Sequence, residues 1–180
     1  MSKLFQYFFY LWWAWLELNQ RQIGYEPTAL TPELQAQNFS QKFGKNNHLG
    51  EDWNGTGGGN SDMGDPVYAI SDGVVVSAIH HKLGWGRVLR IVHNMGNREK
   101  PQYIESLYAH LNEFKVKAGT LVKKGDLIGT IGNANGRYLA HLHLELRDQI
   151  NLPLGGGYSK NTKGFLNPTT FIKANKVLNQ

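Results

Sequence analysis

From Pro66 to Arg147 the chain is a series of short runs rich in β-branched residues, each closed by glycine or by a polar turn. Runs of this kind at close spacing specify strands, and many of them in succession specify an antiparallel all-β domain. Pro66–Ile70 and Val74–His81 flank Ser71-Asp72-Gly73, which reads as a hairpin turn. Gly84-Trp85-Gly86 separates the second run from Arg87–His93, and Asn94–Gln102 is a polar loop before a strand at Ile104–Leu111. Lys117-Ala-Gly119 and Lys123-Lys-Gly-Asp126 are turns around Leu121-Val122 and Leu127–Ile131, and the last strong strand is Leu139–Arg147. The glycine clusters Gly55–Gly59 and Gly155–Gly157 suggest mobile loops.

Helical signals occur only at the two ends. Thr31-Pro32-Glu33 opens a short N-terminal helix, with threonine as cap and proline at the first helical position. Asn167-Pro168-Thr169-Thr170 starts a short C-terminal helix, with Phe171 and Ile172 docking on the core. The expected fold is therefore all-β, mainly antiparallel sheet in a two-layer, sandwich-like arrangement with a groove, carrying short helices at its ends.

At 180 residues the chain holds one well-buried domain and little more. The net charge of +5 favours an anionic partner: nucleic acid, membrane or an anionic polymer. The absence of cysteine excludes disulfides and thiolate metal sites. Leu4–Leu16 is an apolar run heavy in aromatics (Phe5, Tyr7, Phe8, Phe9, Tyr10, Trp12, Trp13, Trp15). It is shorter than the ~20 residues of a membrane-spanning helix, and no small-x-small cleavage site follows it. Its aromatics suit a membrane interface or a packed helix. Residues 1–40 are thus set apart as a targeting or packing segment, and 41–175 as the folded domain.

Three groups of side chains suggest one zinc site: His48-Leu-Gly-Glu-Asp52, Tyr108-Ala-His110-Leu111 and His141-Leu-His143-Leu-Glu145. Zinc takes imidazole nitrogen and carboxylate oxygen, and a hydrolytic site uses three protein ligands plus a water. Two further histidines would then be left to move protons beside that water. On a strand His141, His143 and Glu145 share one face while Leu142 and Leu144 enter the core. Two imidazoles so placed lie roughly 7 Å apart along the strand, which suits one ligand and one neighbour. Tyr108-Ala-His110 repeats the alternation on another strand. Gly50 argues against a helical pairing of His48 with Asp52, so the two converge through a loop and the strand after it. Glu145 either orients an imidazole or faces solvent. Each group alone is weak, because a His-x-His on a strand is usually a surface pair.

Taken in order, His48-x-x-x-Asp52, Leu107-Tyr108-Ala109-His110-Leu111 and His141-Leu-His143 resemble the signature of the lysostaphin/LytM-type zinc metallopeptidases, which cleave peptidoglycan peptides. Gly64-Asp-Pro-Val-Tyr-Ala69, Ser71-Asp-Gly-Val-Val75, Val116–Gly129 and Asn167-Pro168 frame the motifs as in that family. The resemblance covers about residues 41–173 and leaves the N-terminal forty aside. It implies one Zn2+ per chain held by His48, Asp52 and His143, with His110 and His141 as catalytic histidines. It further implies peptidoglycan peptides as substrate, no nucleic acid, a monomer and a place in the cell envelope, while the aromatics of Leu4–Leu16 separately suggest membrane-surface association through the N-terminal segment. The sequence departs from the family in the Gly-rich stretch Asn54–Asn60, in the long loop Asn94–Ile104, and in Asn133-Ala-Asn-Gly136 before the last motif. An inactive wall-binding relative would lack ligands, and none is missing. A nucleic-acid-binding β-domain leaves the histidines unexplained, and a lipoyl-type carrier hairpin at Val122–Asp126 leaves them idle.

His80 and His81 face opposite sides of a strand, His93 closes a strand, and Lys115, Lys117, Lys123 and Lys124 form a solvated turn face. Trp85, between two glycines, either stacks on substrate or packs on a neighbouring strand.

Overall fold

The computed structural model describes residues 38–97 and 99–176. The expectations for Leu4–Leu16 and for a helix at Thr31 lie outside them. The strands are β1 (Asn38–Gln41), β2 (Glu51–Asn54), β3 (Pro66–Tyr68), β4 (Gly73–His80), β5 (Arg87–Asn94), β6 (Tyr103–Leu111), β7 (Glu113–Phe114), β8 (Leu121–Val122), β9 (Leu127–Thr130), β10 (Leu142–Arg147) and β11 (Phe165–Leu166). A single α-helix, α1 (Pro168–Lys176), follows among the described residues. The large sheet has the order β1-β2-β10-β6-β5-β4-β8, with β11 also on β10, and the small sheet the order β3-β9-β7. Every pairing is antiparallel.

The main core lies between the sheets. Leu89, Ile91, Tyr108, Leu142, Leu144 and Leu146 of the large sheet meet Val67 and Ile128 of the small one, and Phe171 and Ile172 of α1 pack against them. The helix begins where expected: Asn167 Oδ1 caps the Thr170 N–H at 2.8 Å. Alternation along β2 sends Glu51 and Trp53 to the core side and Asp52 to the opposite face. Glu51 Oε2 accepts from Thr169 N and Oγ1 at 3.1 and 2.6 Å, so a buried carboxylate holds the helix N-terminus.

Residues 66–81 do not form a hairpin. β3 pairs with β9, whereas β4 pairs with β5 and β8. The Ser71–Gly73 turn carries the chain from one sheet to the other. Asp72 anchors it there by accepting from the Lys124 N–H at 2.9 Å and from Lys123 Nζ at 3.0 Å. A turn signal marks a change of direction and does not choose the partner.

His93 is fully buried on the core side, away from the groove, bonded through Nδ1 to the Asp72 carbonyl at 2.9 Å and through Nε2 to Ser106 Oγ at 2.7 Å. Burial lowers its pKa to about 4, against the help of the Asp72 carbonyl. The unfolded chain takes up this proton below about pH 6.5, the folded one only near pH 4. Stability is therefore whole above pH 6.5 and falls as pH drops toward 4, by roughly 3 kcal/mol from this group. Urea midpoints of the wild type should fall over that window. A His93→Gln variant should show a shallower pH slope; an equal slope would remove His93 as the source.

Candidate metal centre

The face of the large sheet turned away from the main core carries the site. β10 pairs with β2 so that His143 lies opposite Asp52, and with β6 so that His143 lies opposite Ala109. Cross-strand partners share a face, which places Asp52 beside the His143 ring. His48 reaches the same point from a 3-10 turn at Lys45–Asn47. The intervening Gly50 allows this approach: a Cβ there would stand 2.6 Å from the Leu144 carbonyl oxygen and 3.0 Å from His143 Cε1.

Three atoms converge. His143 Nδ1 is 2.9 Å from Asp52 Oδ1 and 3.1 Å from His48 Nε2, and His48 Nε2 is 3.4 Å from Asp52 Oδ1. Ligands bound about 2.0–2.1 Å from a tetrahedral zinc stand roughly 3.3 Å apart. The donor set and its spacing therefore fit a metal ion, and His48, Asp52 and His143 are the group among the described residues that could hold one. All three are buried.

The charges are tuned by one another. Burial would raise the Asp52 carboxyl, but the hydrogen bond and charge of His143, with His48 and His141, outweigh it and hold Asp52 below the usual range. Burial works against a charged His143, yet Asp52 and Glu145 on either side raise it to about 9. Burial lowers His48 despite the Asp52 charge. A metal taking His143 Nδ1 displaces a proton, so uptake is coupled to pH.

Two more imidazoles border the trio. His141 Nε2 is 3.7 Å from Asp52 Oδ1, and its Nδ1 donates to the Leu139 carbonyl at 2.8 Å. The ring of His110 lies 4.7 Å from that of His141 and 5.5 Å from that of His143, and its Nδ1 donates to the Trp85 carbonyl at 3.3 Å. Both rings thus commit Nδ1–H to backbone and keep Nε2 as the free base nitrogen. Burial first, then the nearby His143 and His141, lowers His110 to about 3.

His110 does not arrive by simple alternation. Tyr108 points into the core, where its hydroxyl accepts from the Ile70 N–H at 3.1 Å, and a regular strand would send His110 after it. Instead His110 adopts φ +61°. Between the pairs Arg87↔Leu111 and Leu89↔Tyr108, β6 carries one more residue than β5. This bulge turns the imidazole to the site face. A left-handed residue other than glycine costs about 1–2 kcal/mol and tends to sit where function holds it.

Aromatic rings that local patterning does not assign surround the site. Tyr158, 53% exposed, lies 5.0 Å from the His48 ring, and Tyr138, 46% exposed, lies 5.1 Å from the His110 ring. Trp85 stands edge-on to His143 at 5.3 Å and donates from Nε1 to the Gly155 carbonyl at 2.9 Å, so it forms a wall of the site. The Gly-rich stretch Asn54–Asn60 reaches the groove as well, since Asn60 Oδ1 accepts from the Ala140 N–H at 2.8 Å. His80, exposed at the end of β4, accepts through Nε2 from Asn135 Nδ2 at 2.9 Å, and His81, half-buried, follows the strand; neither is among the three converging ligands.

A model of peptidase family M23 matches residues 47–154, a span that includes all five of these histidine and aspartate positions. The chain belongs to peptidase family M23. It is 29% identical over 161 residues to glycyl-glycine endopeptidase ALE-1 of Staphylococcus capitis, covering 89% of this chain and 36% of that protein. Lysostaphin of Staphylococcus simulans is 31% identical over 126 residues, covering 63% of this chain and 24% of lysostaphin. The chain thus spans about a quarter to a third of the length of these curated relatives. The solved catalytic domain of lysostaphin from Staphylococcus simulans superposes with a TM-score of 0.51 at 28% identity, over 70% of this chain and 79% of that one. In M23 terms, β2, β6 and β10 supply the site, whereas β1, β11 and α1 lie outside the matched span.

Proposed function

We propose that this chain is a zinc-dependent endopeptidase that hydrolyses peptide bonds in the stem or cross-link peptides of bacterial peptidoglycan. The observation that carries it is the convergence of His48 Nε2, Asp52 Oδ1 and His143 Nδ1 within 3.4 Å of one another, with two further histidines beside them. Membership of the M23 family and likeness to a glycyl-glycine endopeptidase and to the antimicrobial peptidase lysostaphin support it. Zinc bound there would supply Lewis-acid activation of water and of a peptide carbonyl.

The chain's own residues do the rest. His48, Asp52 and His143 hold the ion with a single carboxylate charge among neutral imidazoles. His110 and His141, each with Nδ1–H tied to a backbone carbonyl, offer Nε2 to take a proton from the attacking water and return it to the leaving amine. Trp85, Tyr138 and Tyr158 wall the groove and orient an extended peptide. The net charge of +5 suits an anionic wall. Residues 41–175 carry this activity, and Leu4–Leu16 governs location at the cell envelope. Among the described residues no helix is long and apolar enough to cross a membrane.

Digestion of purified walls tests the bond type. New free amines with unchanged reducing sugar are expected, and mass spectrometry of the muropeptides should then identify the cut. Chelation should stop the release and added zinc restore it. New reducing ends as the main product would exclude the proposal, because a glycosidase places two carboxylates across its bond.

A further inference from the structure

Behind the His143 ring lies a set of buried charges that peptide hydrolysis itself leaves without a task. Glu145 is fully buried; its Oε1 accepts from His143 Nε2 at 3.1 Å, and its Oε2 accepts from Arg147 Nε and Nη2 at 2.9 and 2.6 Å. Arg147, also fully buried, donates from Nη1 to the Leu152 carbonyl at 3.1 Å and stands 3.5 Å from Glu105. Arg90 holds Glu105 at 2.7–2.9 Å and shares the Leu152 carbonyl at 3.0 Å. Beyond Leu152 the chain continues to Leu154, which packs on Val88, Leu107 and Ala109, and to Gly155, whose carbonyl accepts from Trp85.

Stability alone is a poor reason for this set. Apolar side chains of similar volume commonly hold a core as well as a buried ion network does. Direction is the better reason. An imidazole binds a metal only through the nitrogen that carries no proton. A carboxylate can only accept, so at His143 Nε2 it requires the proton there and leaves Nδ1 for the ion. That nitrogen is the one facing Asp52 and His48. Arg147 in turn fixes both oxygen geometry and charge on Glu145.

We infer that Glu145 is a positioning residue that selects Nδ1 as the metal-facing atom of His143, and that Arg147 locks Glu145 while tying the 152–157 groove wall to the same ligand. The inference rests on the zinc reading above. Four full-length proteins test it: wild type, Glu145→Gln, Glu105→Gln, and the double variant Glu145→Gln/Arg147→Met. Zinc affinity is measured by chelator competition on protein shown to be folded by circular dichroism.

Glu145→Gln should bind zinc about 10–100-fold more weakly, because an amide can donate to Nε2 and favour the wrong tautomer. Glu105→Gln disturbs the same buried network without touching His143. It should lose thermal stability and keep the wild-type zinc affinity. The double variant removes the orphaned guanidinium, so it preserves the comparison if Glu145→Gln does not fold, and it should show the same zinc loss. Wild-type affinity in folded Glu145→Gln, or in the double variant when the single one does not fold, overturns the inference. Equal zinc loss in Glu105→Gln does so too, since it would mark a merely structural effect. Wild type that takes up no zinc overturns the metal reading as well, which separates the two failures.

Discussion

Asp52→Ala should emerge from purification without zinc and without measurable hydrolysis. Asp52 Oδ1 is the anionic point of the site, 2.9 Å from His143 Nδ1, 3.4 Å from His48 Nε2 and 3.7 Å from His141 Nε2. Its removal leaves imidazoles alone around the position, with one ligand fewer than a hydrolytic zinc site uses. His143→Ala should behave alike, because it removes the nitrogen that both other donors approach. A bound metal contributes several kcal/mol of transition-state stabilisation. At 1.36 kcal/mol per decade, its loss lowers turnover on the order of 10³-fold or more. Metal analysis and wall-lysis rates measure both effects, with circular dichroism reporting that the variants remain folded. A full zinc complement in Asp52→Ala would remove Asp52 from the ligand set.

His110→Ala and His141→Ala should separate chemistry from metal binding. Each ring stands beside the trio, with Nδ1 bonded to a backbone carbonyl at 3.3 and 2.8 Å respectively. Neither nitrogen contact is needed to hold the ion, so zinc content should stay close to one per chain. Turnover should fall by roughly 10²–10⁴-fold, the scale of a lost acid–base group. KM should change less than kcat, because the missing interaction strengthens in the transition state. If His141→Ala loses zinc as fully as His143→Ala, the roles within the pair must be merged.

Much of this centre was legible in the chain. Period-two alternation in His141–Arg147 places Leu142, Leu144 and Leu146 in the core and His143 on the opposite face, as observed. Carrying that alternation to Arg147 shows that His143, Glu145 and Arg147 share a face, and the burial of Glu145 excludes a solvent-facing role. The start of the C-terminal helix at Asn167-Pro168 also follows from residue type. These features are local: side-chain direction on a strand and a short capping bond.

Tertiary structure alone decided the rest. That β3 joins β9 rather than β4 is a pairing between residues some sixty apart in the chain, and the turn between the sheets meets Lys123 and Lys124 through Asp72 across a similar distance. The choice between the two histidines of the His141–His143 pair follows from cross-strand register, which sets His143 opposite Asp52. His110 reaches the site because a bulge and φ +61° reverse the face that alternation assigns. Tyr158 comes to His48 through the bridge between residues 48 and 158. In each case the deciding interaction joins residues far apart in the chain, and no local preference of either partner encodes it. The sequence by itself determined which residue types could form the centre and which way β10 presents them; pairing, register and one bulge decided where they meet.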